Sequence, residues 1–435
     1  MTDPVMLTVW GLLATFALIL LHVPVGVAMG LTGVAGFGLL GGFGPALSMI
    51  ASETSNALAS LDLATIPLFV LMGSFASMGG LSEDLYRLAY AMVGHRRGGL
   101  AMATIGGCAG FGAVCGSSVA TAATFGRAAL PSMLRRGYAP GFAAGTVASG
   151  GTLGILIPPS SIMVIYAVLS QELIITLYIA ALVPAVIAVA LHLLTITAYA
   201  RWRTADAPVG PKATALERWR AVRGSWQVIV LACTVIGGMA AGVFTATESA
   251  AVGAVMALVF AWMRDSIRWA ALRDALTATA RTSAMIYVLI IGASLFGYFA
   301  TVTQAPQALV ESVRNSGLPV WAAVTLMMLL FIVAGAVFDE VAAMVVTMPF
   351  VLPLVKSWGF DPVWWGVINV VIIELGMLIP PLGMNVFVMK GIAPSIPLTA
   401  IYRGVAPYVA SNLLRLALLL AFPALCLWLP ALLKG

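Results

Sequence analysis

Two stretches of this chain carry the residue types needed to hold an ion inside a membrane. They read Gly154-Ile155-Leu156-Ile157-Pro158-Pro159-Ser160 and Gly376-Met377-Leu378-Ile379-Pro380-Pro381-Leu382. Each lies about midway along an apolar run, 139–170 and 362–390. Proline has no N–H and clashes with the carbonyl four residues back, so a Pro-Pro pair interrupts a helix. The carbonyls expected to be freed are those of Gly154 and Ile155, and of Gly376 and Met377. The residue before a proline is pushed out of the helical region, so Ile157 and Ile379 should be extended. Freed carbonyl oxygens suit a small cation, and the half-helix N-terminus beyond them suits an anion. Unfilled, such a break costs several kcal/mol per group in lipid.

Two polar tips add side-chain oxygens. Ser117, Ser118 and Thr121 lie between the short apolar runs 101–115 and 119–134. Asp339 and Glu340 lie between a second short pair, 321–337 and 341–355. Runs of about 15 residues are short for a crossing, so each pair is expected to be a re-entrant hairpin. Carboxylates at membrane depth are functional candidates. Asp339 could hold a cation or cap the helix at the tip, and Glu340 could do either or reach water near the entrance. Glu374 could coordinate an ion or brace the break. Ser160 and Asn385 follow the two breaks, where a hydroxyl and an amide could meet a substrate. A helix–helix hydrogen bond is the other reading of Asn385.

The elements that must position these residues follow from composition and spacing. Of 435 residues, 61% are apolar and 9% charged, against about 45–50% and 25% in soluble domains. The chain therefore belongs in a bilayer, with room for roughly ten to twelve spans of about 20 residues. This excludes a soluble enzyme, a secreted disulfide scaffold and a nucleic-acid-binding protein. The net charge of +6 lies at segment ends.

The two halves repeat. Leu130-Pro131, Gly137, Pro140, Gly154, Leu156 and Ile157-Pro158-Pro159 all recur 222 residues later, and Gly112-Ala113-Val114 recurs at 223. Each repeat reads as three spans, a hairpin, a broken span and a further span. That is five crossings, an odd number, so the second repeat should be inverted. The predicted fold is an all-α polytopic membrane protein of two inverted five-span repeats, each with a re-entrant hairpin and a broken helix. Its units are 1–200, a basic linker at 201–226, and 227–435. With the linker in the cytoplasm, eighteen Lys and Arg residues fall on that side and only Arg314, Lys356 and Lys434 outside, while Arg415 lies within a span. Both termini are then periplasmic. The N-terminus lacks a basic leader region and reads as a retained span.

Other features have plainer readings. Cys108, Cys115, Cys233 and Cys426 sit in apolar runs without metal-ligand spacing and read as small core residues. His22, His95 and His192 are scattered. Glu248, after Thr245-Ala246-Thr247, reads as a helix cap. Segment 46–60 reads as an interfacial amphipathic helix against membrane lipid. There is no P-loop, HExxH or GxSxG, so neither ATP hydrolysis nor hydrolase chemistry is expected, and an ion gradient is the expected energy source.

At these residues the sequence resembles a known family. The two Pro-Pro segments, Gly112–Ala120 in the first tip, Phe244-Thr245-Ala246-Thr247-Glu248 with Ala250-Ala251-Val252-Gly253, and residues 376–388 are similar to the large membrane subunit of tripartite ATP-independent periplasmic (TRAP) transporters. The likeness covers nearly the whole chain. It implies sodium-driven uptake of an organic acid, such as a dicarboxylate or a sugar acid like sialic acid, across the bacterial inner membrane. It implies a periplasmic solute-binding protein and a small four-helix membrane subunit as partners, and an elevator mechanism of the ion-transporter-superfamily kind. Carried over by position, one sodium site falls at Ser117, Ser118, Gly154, Ile157 and Pro159. The second falls at Asp339, Gly376, Ile379 and Pro381. Substrate falls between the tips, near Thr121, Ser160, Glu340 and Asn385. The family commonly has Thr-Pro-Pro where this chain has Ile379-Pro380-Pro381, which removes one side-chain oxygen. The alternatives are a single-component sodium/carboxylate symporter of similar architecture, a channel or scaffold, and, most distantly, an intramembrane enzyme.

Overall fold

In a bilayer every backbone polar group must be paired within the protein, and an apolar segment does this by coiling into a helix. The computed structural model describes residues 4–434, with backbone only at 433 and 434, and is helical almost throughout. The side chain of Lys434, placed outside by the charge count, therefore lies outside the described residues. No strand is present among the described residues, only a lone bridge between Arg97 and Val209. Seven helices are long and apolar enough to cross a bilayer, or up to nine if each bent pair is one span. Two of the seven, Val320–Val337 and Glu340–Ser357, are the arms of the second expected hairpin, so length does not mark that pair as re-entrant: the helices extend past the apolar runs to 18 residues each. Four further apolar helices are shorter: Pro4–Leu20, Val25–Gly41, Gly99–Cys115 and Pro362–Gly376.

The packing follows the repeat spacing. Val25–Gly41 packs on Trp269–Val302, and Leu61–Met78 packs on Ala246–Met263. Moving the first member of each pair on by 222 residues lands within the partner of the other. The broken helices behave alike: Pro140–Leu156 packs on Leu398–Ala421, and Pro362–Gly376 on Ile174–Trp202. Packing between repeats is this close because glycine permits it: a Cβ at Gly26 would lie 2.5 Å from the Leu289 Cα.

The linker is partly ordered. Ile174–Trp202 runs past the expected span end, and Ala215–Gly224 forms a basic helix that buries nothing. Thr214 and Glu217 cap it reciprocally, and the Thr214 N–H holds the Glu217 carboxyl below its ordinary range. Arg264 gathers the surrounding ends, contacting Asp84, Gln227 and the Gly79 carbonyl. Residues 46–59 are helical as expected, within Phe43–Ala59, and Ser60 is extended at its end. Glu248 completes a capping box, its carboxylate accepting from the Thr245 N–H at 2.9 Å. One cysteine departs from the core reading: Cys233 is exposed, in a π-helical turn at Cys233–Gly237, while the other three are buried. At 100° per residue Cys233 falls opposite the buried face of Val228, Leu231 and Val235, so it points away from the core.

Candidate functional site

Both Pro-Pro segments interrupt their helices. Pro140–Leu156 stops and Ser161–Ser170 resumes at 41° to it. Ile157 is extended, with φ −77° and ψ 121°. Pro362–Gly376 stops, and Met384–Ile392 resumes after a longer break entered through Met377 and left through Gly383 at φ +54°. Pro158–Pro159 and Pro380–Pro381 are both cis.

The first break is lined with oxygens from its hairpin. Gly99–Cys115 ends at Gly116, whose φ is +62°, and Ser118–Ala128 starts after Ser117. The Ser117 hydroxyl caps that helix, accepting from the Ala120 N–H at 3.4 Å. Gly112 crosses Gly154 so closely that a Cβ on Gly112 would lie 2.8 Å from the Gly154 Cα. A Cβ on Gly154 would lie 2.8 Å from both the Ser117 carbonyl and the Thr121 hydroxyl, and one on Gly116 would lie 2.6 Å from the Pro159 carbonyl. Ser117, Thr121, Gly154 and Pro159 are thus brought together. Such a set of neutral oxygens suits a hard monovalent cation.

Not all the expected carbonyls are free. The Ser160 hydroxyl donates to the Ile155 carbonyl at 2.5 Å and caps the next helix, accepting from the Met163 N–H at 3.4 Å. In the second break neither expected carbonyl is left open: the Ile379 N–H donates to the Gly376 carbonyl at 3.4 Å, closing one more turn, and the Asn385 N–H donates to the Met377 carbonyl at 3.3 Å. Gly154 keeps its carbonyl free of the helix ladder, because Pro158 has no N–H to offer. A hydroxyl or amide just past each break folds back and satisfies one of the carbonyls the prolines expose.

The second break is assembled the same way with different chemistry. A Cβ on Gly376 would lie 2.6 Å from the Gly335 carbonyl carbon, so this helix also crosses its hairpin at a glycine pair. The Leu382 N–H donates to the Ala336 carbonyl at 3.2 Å. The Tyr402 hydroxyl donates to the carbonyls of Leu382 at 2.9 Å and Pro381 at 3.3 Å. Asp339 caps Glu340–Ser357, its carboxylate accepting from the Val341 N–H at 3.0 Å. Glu340 opens that helix with one buried oxygen unpartnered. Among the described residues, neither Asp339 nor Glu340 hydrogen-bonds to 376–382. Ile379 is half-buried and Pro380, Pro381 and Leu382 are exposed.

Asn385 links the two halves. Its side-chain N–H groups donate to the Ser118 hydroxyl at 2.7 Å and the Ala148 carbonyl at 3.0 Å. The helix–helix reading of Asn385 therefore describes its amide nitrogen, while its carbonyl oxygen is buried and unpartnered.

The partner of Glu374 is set by the fold. Arg415 and Glu374 are both fully buried and ion-paired. The signal was present, since an arginine inside an apolar run marks a partner nearby. Neighbouring helices add buried polar groups, with Asn369 on Pro362–Gly376, Asn412 beside Arg415, and His192, whose Nδ1 lies 2.8 Å from the Ala188 carbonyl. No group of three or more His, Cys, Asp or Glu residues able to hold a metal occurs among the described residues.

Comparison with known proteins places this geometry in context. Residues 12–425 match a family described as tripartite ATP-independent periplasmic transporter, DctM component. The C4-dicarboxylate TRAP transporter large permease protein DctM of Rhodobacter capsulatus is 34% identical over 444 residues, covering 98% of this chain and 99% of that protein. The isethionate TRAP transporter permease protein DctMQ of Oleidesulfovibrio alaskensis is 32% identical over 417 residues, covering 94% of this chain and 64% of that one. Among solved structures, the YdaH transporter of Alcanivorax borkumensis superposes with a TM-score of 0.59 at 15% identity over 98% of both chains, a likeness of fold alone.

Proposed function

Because this chain belongs to the DctM family, the large membrane permease of tripartite ATP-independent periplasmic transporters, we propose that it couples sodium entry to uptake of an organic acid. The observation that carries this reading is the matched pair of breaks. Two helices of opposite halves unwind at Pro-Pro segments 222 residues apart, and each is crossed by a hairpin at a glycine pair. Paired broken helices at the centre of a repeat are a recurring arrangement for coupled transport, with carbonyls facing the cation and half-helix N-termini the anion.

Sodium in this reading is cargo. The first ion binds among Ser117, Ser118, Thr121 and the carbonyls of Gly154, Ile157 and Pro159. The second binds at the 376–381 carbonyls, with Asp339 closing the tip. With Ile379 in place of threonine, that site depends on backbone oxygens and buried charge. The substrate anion sits between Ser118, Asn385 and Glu340, delivered by a periplasmic binding protein. A C4-dicarboxylate is the first class to try, on the strength of the named relatives. The two repeats are inverted, both termini face the periplasm, and the hairpins with their broken helices slide as one body past the remaining spans in the inner membrane. A small membrane subunit completes the complex.

The test is uptake of radiolabelled succinate into proteoliposomes holding the chain, its small subunit and its binding protein, with the sodium gradient varied. Uptake that needs sodium and the binding protein is expected. Sodium-driven uptake without the binding protein would shift the reading to a single-component symporter. Pro159→Ala and Pro381→Ala should each impair coupled uptake while inserting normally. Wild-type rates and sodium dependence in both would defeat the broken-helix model.

A further inference from the structure

Arg415 lies within Leu398–Ala421 with no exposed surface, its guanidinium Nη2 paired with Glu374 Oε2. Glu374 occupies the last turn of Pro362–Gly376, two residues before the glycine that packs backbone to backbone on Gly335. One charge-assisted contact thus ties Leu398–Ala421 to the point where the second break unwinds. The same two helices meet again where the Trp364 indole N–H donates to the Leu419 carbonyl at 3.1 Å. Arginine Nε and Nη1 and Glu374 Oε1 have no other partner. Glu374 is therefore what neutralises Arg415, and Arg415 what neutralises Glu374.

The seam extends to the other half. Tyr408, Asn412 and Arg415 fall at i, i+4 and i+7, on one face of their helix. The Tyr408 ring lies 5.3 Å from that of His192, and its hydroxyl is 2.8 Å from that of Thr146 on the first broken helix. The first break has no equivalent pair. The residues 222 positions before Glu374 and Arg415 are Thr152 and Leu193, and the Thr152 hydroxyl turns back onto the Ser149 carbonyl at 2.9 Å.

We infer that Arg415 is a positioning residue for the second ion site: through Glu374 it fixes the end of Pro362–Gly376 against the second hairpin, and with it the carbonyls that receive sodium. A ligand group is only as well placed as the groups behind it, and losing such a supporting partner typically weakens metal binding about 10- to 100-fold. The inference rests on the reading that sodium binds at the second break.

The experiment uses the purified chain with its small subunit, and follows the melting temperature through a sodium titration. Succinate half-saturation in proteoliposomes is measured alongside, at saturating sodium. Arg415→Met should raise the sodium half-saturation about 10- to 100-fold and leave that for succinate unchanged. Arg415→Lys should restore part of the loss. Glu374→Gln with Arg415→Met should melt nearer the wild type than Arg415→Met alone, because no buried charge is left uncompensated, but should keep the raised sodium half-saturation, because the tie to Leu398–Ala421 is still missing. The double variant also decides the matter if Arg415→Met fails to fold. A lower melting temperature with unchanged sodium half-saturation would make the pair merely structural and overturn the inference, as would equal shifts for sodium and succinate. A wild-type protein that sodium neither stabilises nor drives would overturn the sodium reading itself.

Discussion

The two breaks share a backbone plan and differ in how they are finished. At the first, hydroxyls do the work: Ser117 caps the tip, Ser160 caps the resuming helix, and Thr121 faces the Gly112–Gly154 crossing. Its Pro158-Pro159-Ser160 stretch is buried. At the second, charges replace hydroxyls, with Asp339 at the cap, Glu340 beside it, and Glu374 paired with Arg415. Its Pro380-Pro381-Leu382 stretch is exposed. A sealed site can be built from neutral oxygens held by tight packing. A less enclosed site needs longer-range forces to keep its geometry, and a buried ion pair supplies one, because charges in a low dielectric interact strongly.

The sharpest way to break the comparison is to remove charge. Arg415→Met should destabilise the protein by about 3–5 kcal/mol, as expected for a buried charge left alone. Leu193→Met, at the equivalent place in the first repeat, should cost less than about 1.5 kcal/mol. Thermal melts of both in one detergent would show it, and equal losses would dissolve the asymmetry.

The glycine crossings should instead behave alike. Gly154→Ala and Gly376→Ala each place a Cβ within 2.8 Å and 2.6 Å of neighbouring backbone atoms. Each should cost about 1–3 kcal/mol through overpacking, again read by melting. A large difference between them would mean that the two crossings are not equivalent.

Asn385 sharpens the comparison differently, since it joins the halves. Asn385→Ala removes its bonds to Ser118 and Ala148, and should cost about 1–3 kcal/mol by leaving buried groups unpaired. Hydrogen exchange should then rise in Ser118–Ala128 and in Met384–Ile392 together. A rise in one alone would show that the bond does not couple them.

The smallest effects belong to the tip caps. Ser117→Ala and Asp339→Ala should each cost about 0.5–2 kcal/mol. Sodium half-saturation should rise in both if these groups also meet the ion. Loss of stability without a change in sodium response would confine Ser117 and Asp339 to capping.

Much of this was legible in the chain because the bilayer leaves few choices. Apolar runs must be helices, Pro-Pro must interrupt them, and identical spacing in two halves must mean two copies of one plan. The polar turns at Ser117 and Asp339, both breaks and the Glu248 cap follow from such local rules. Other features depend on which distant groups meet. The hydroxyl of Ser160 closes the Ile155 carbonyl that the prolines open. Asn385 finds Ser118 across 267 residues of chain. Arg415 reads in the sequence as an unexplained charge within a span. Composition and periodicity therefore determined the helices and where the two Pro-Pro segments break them, since those depend on neighbours along the chain. Only the tertiary structure decided which exposed oxygens stay free and which charge answers which, because hydrogen bonds and ion pairs act over a few ångströms between segments that the sequence keeps far apart.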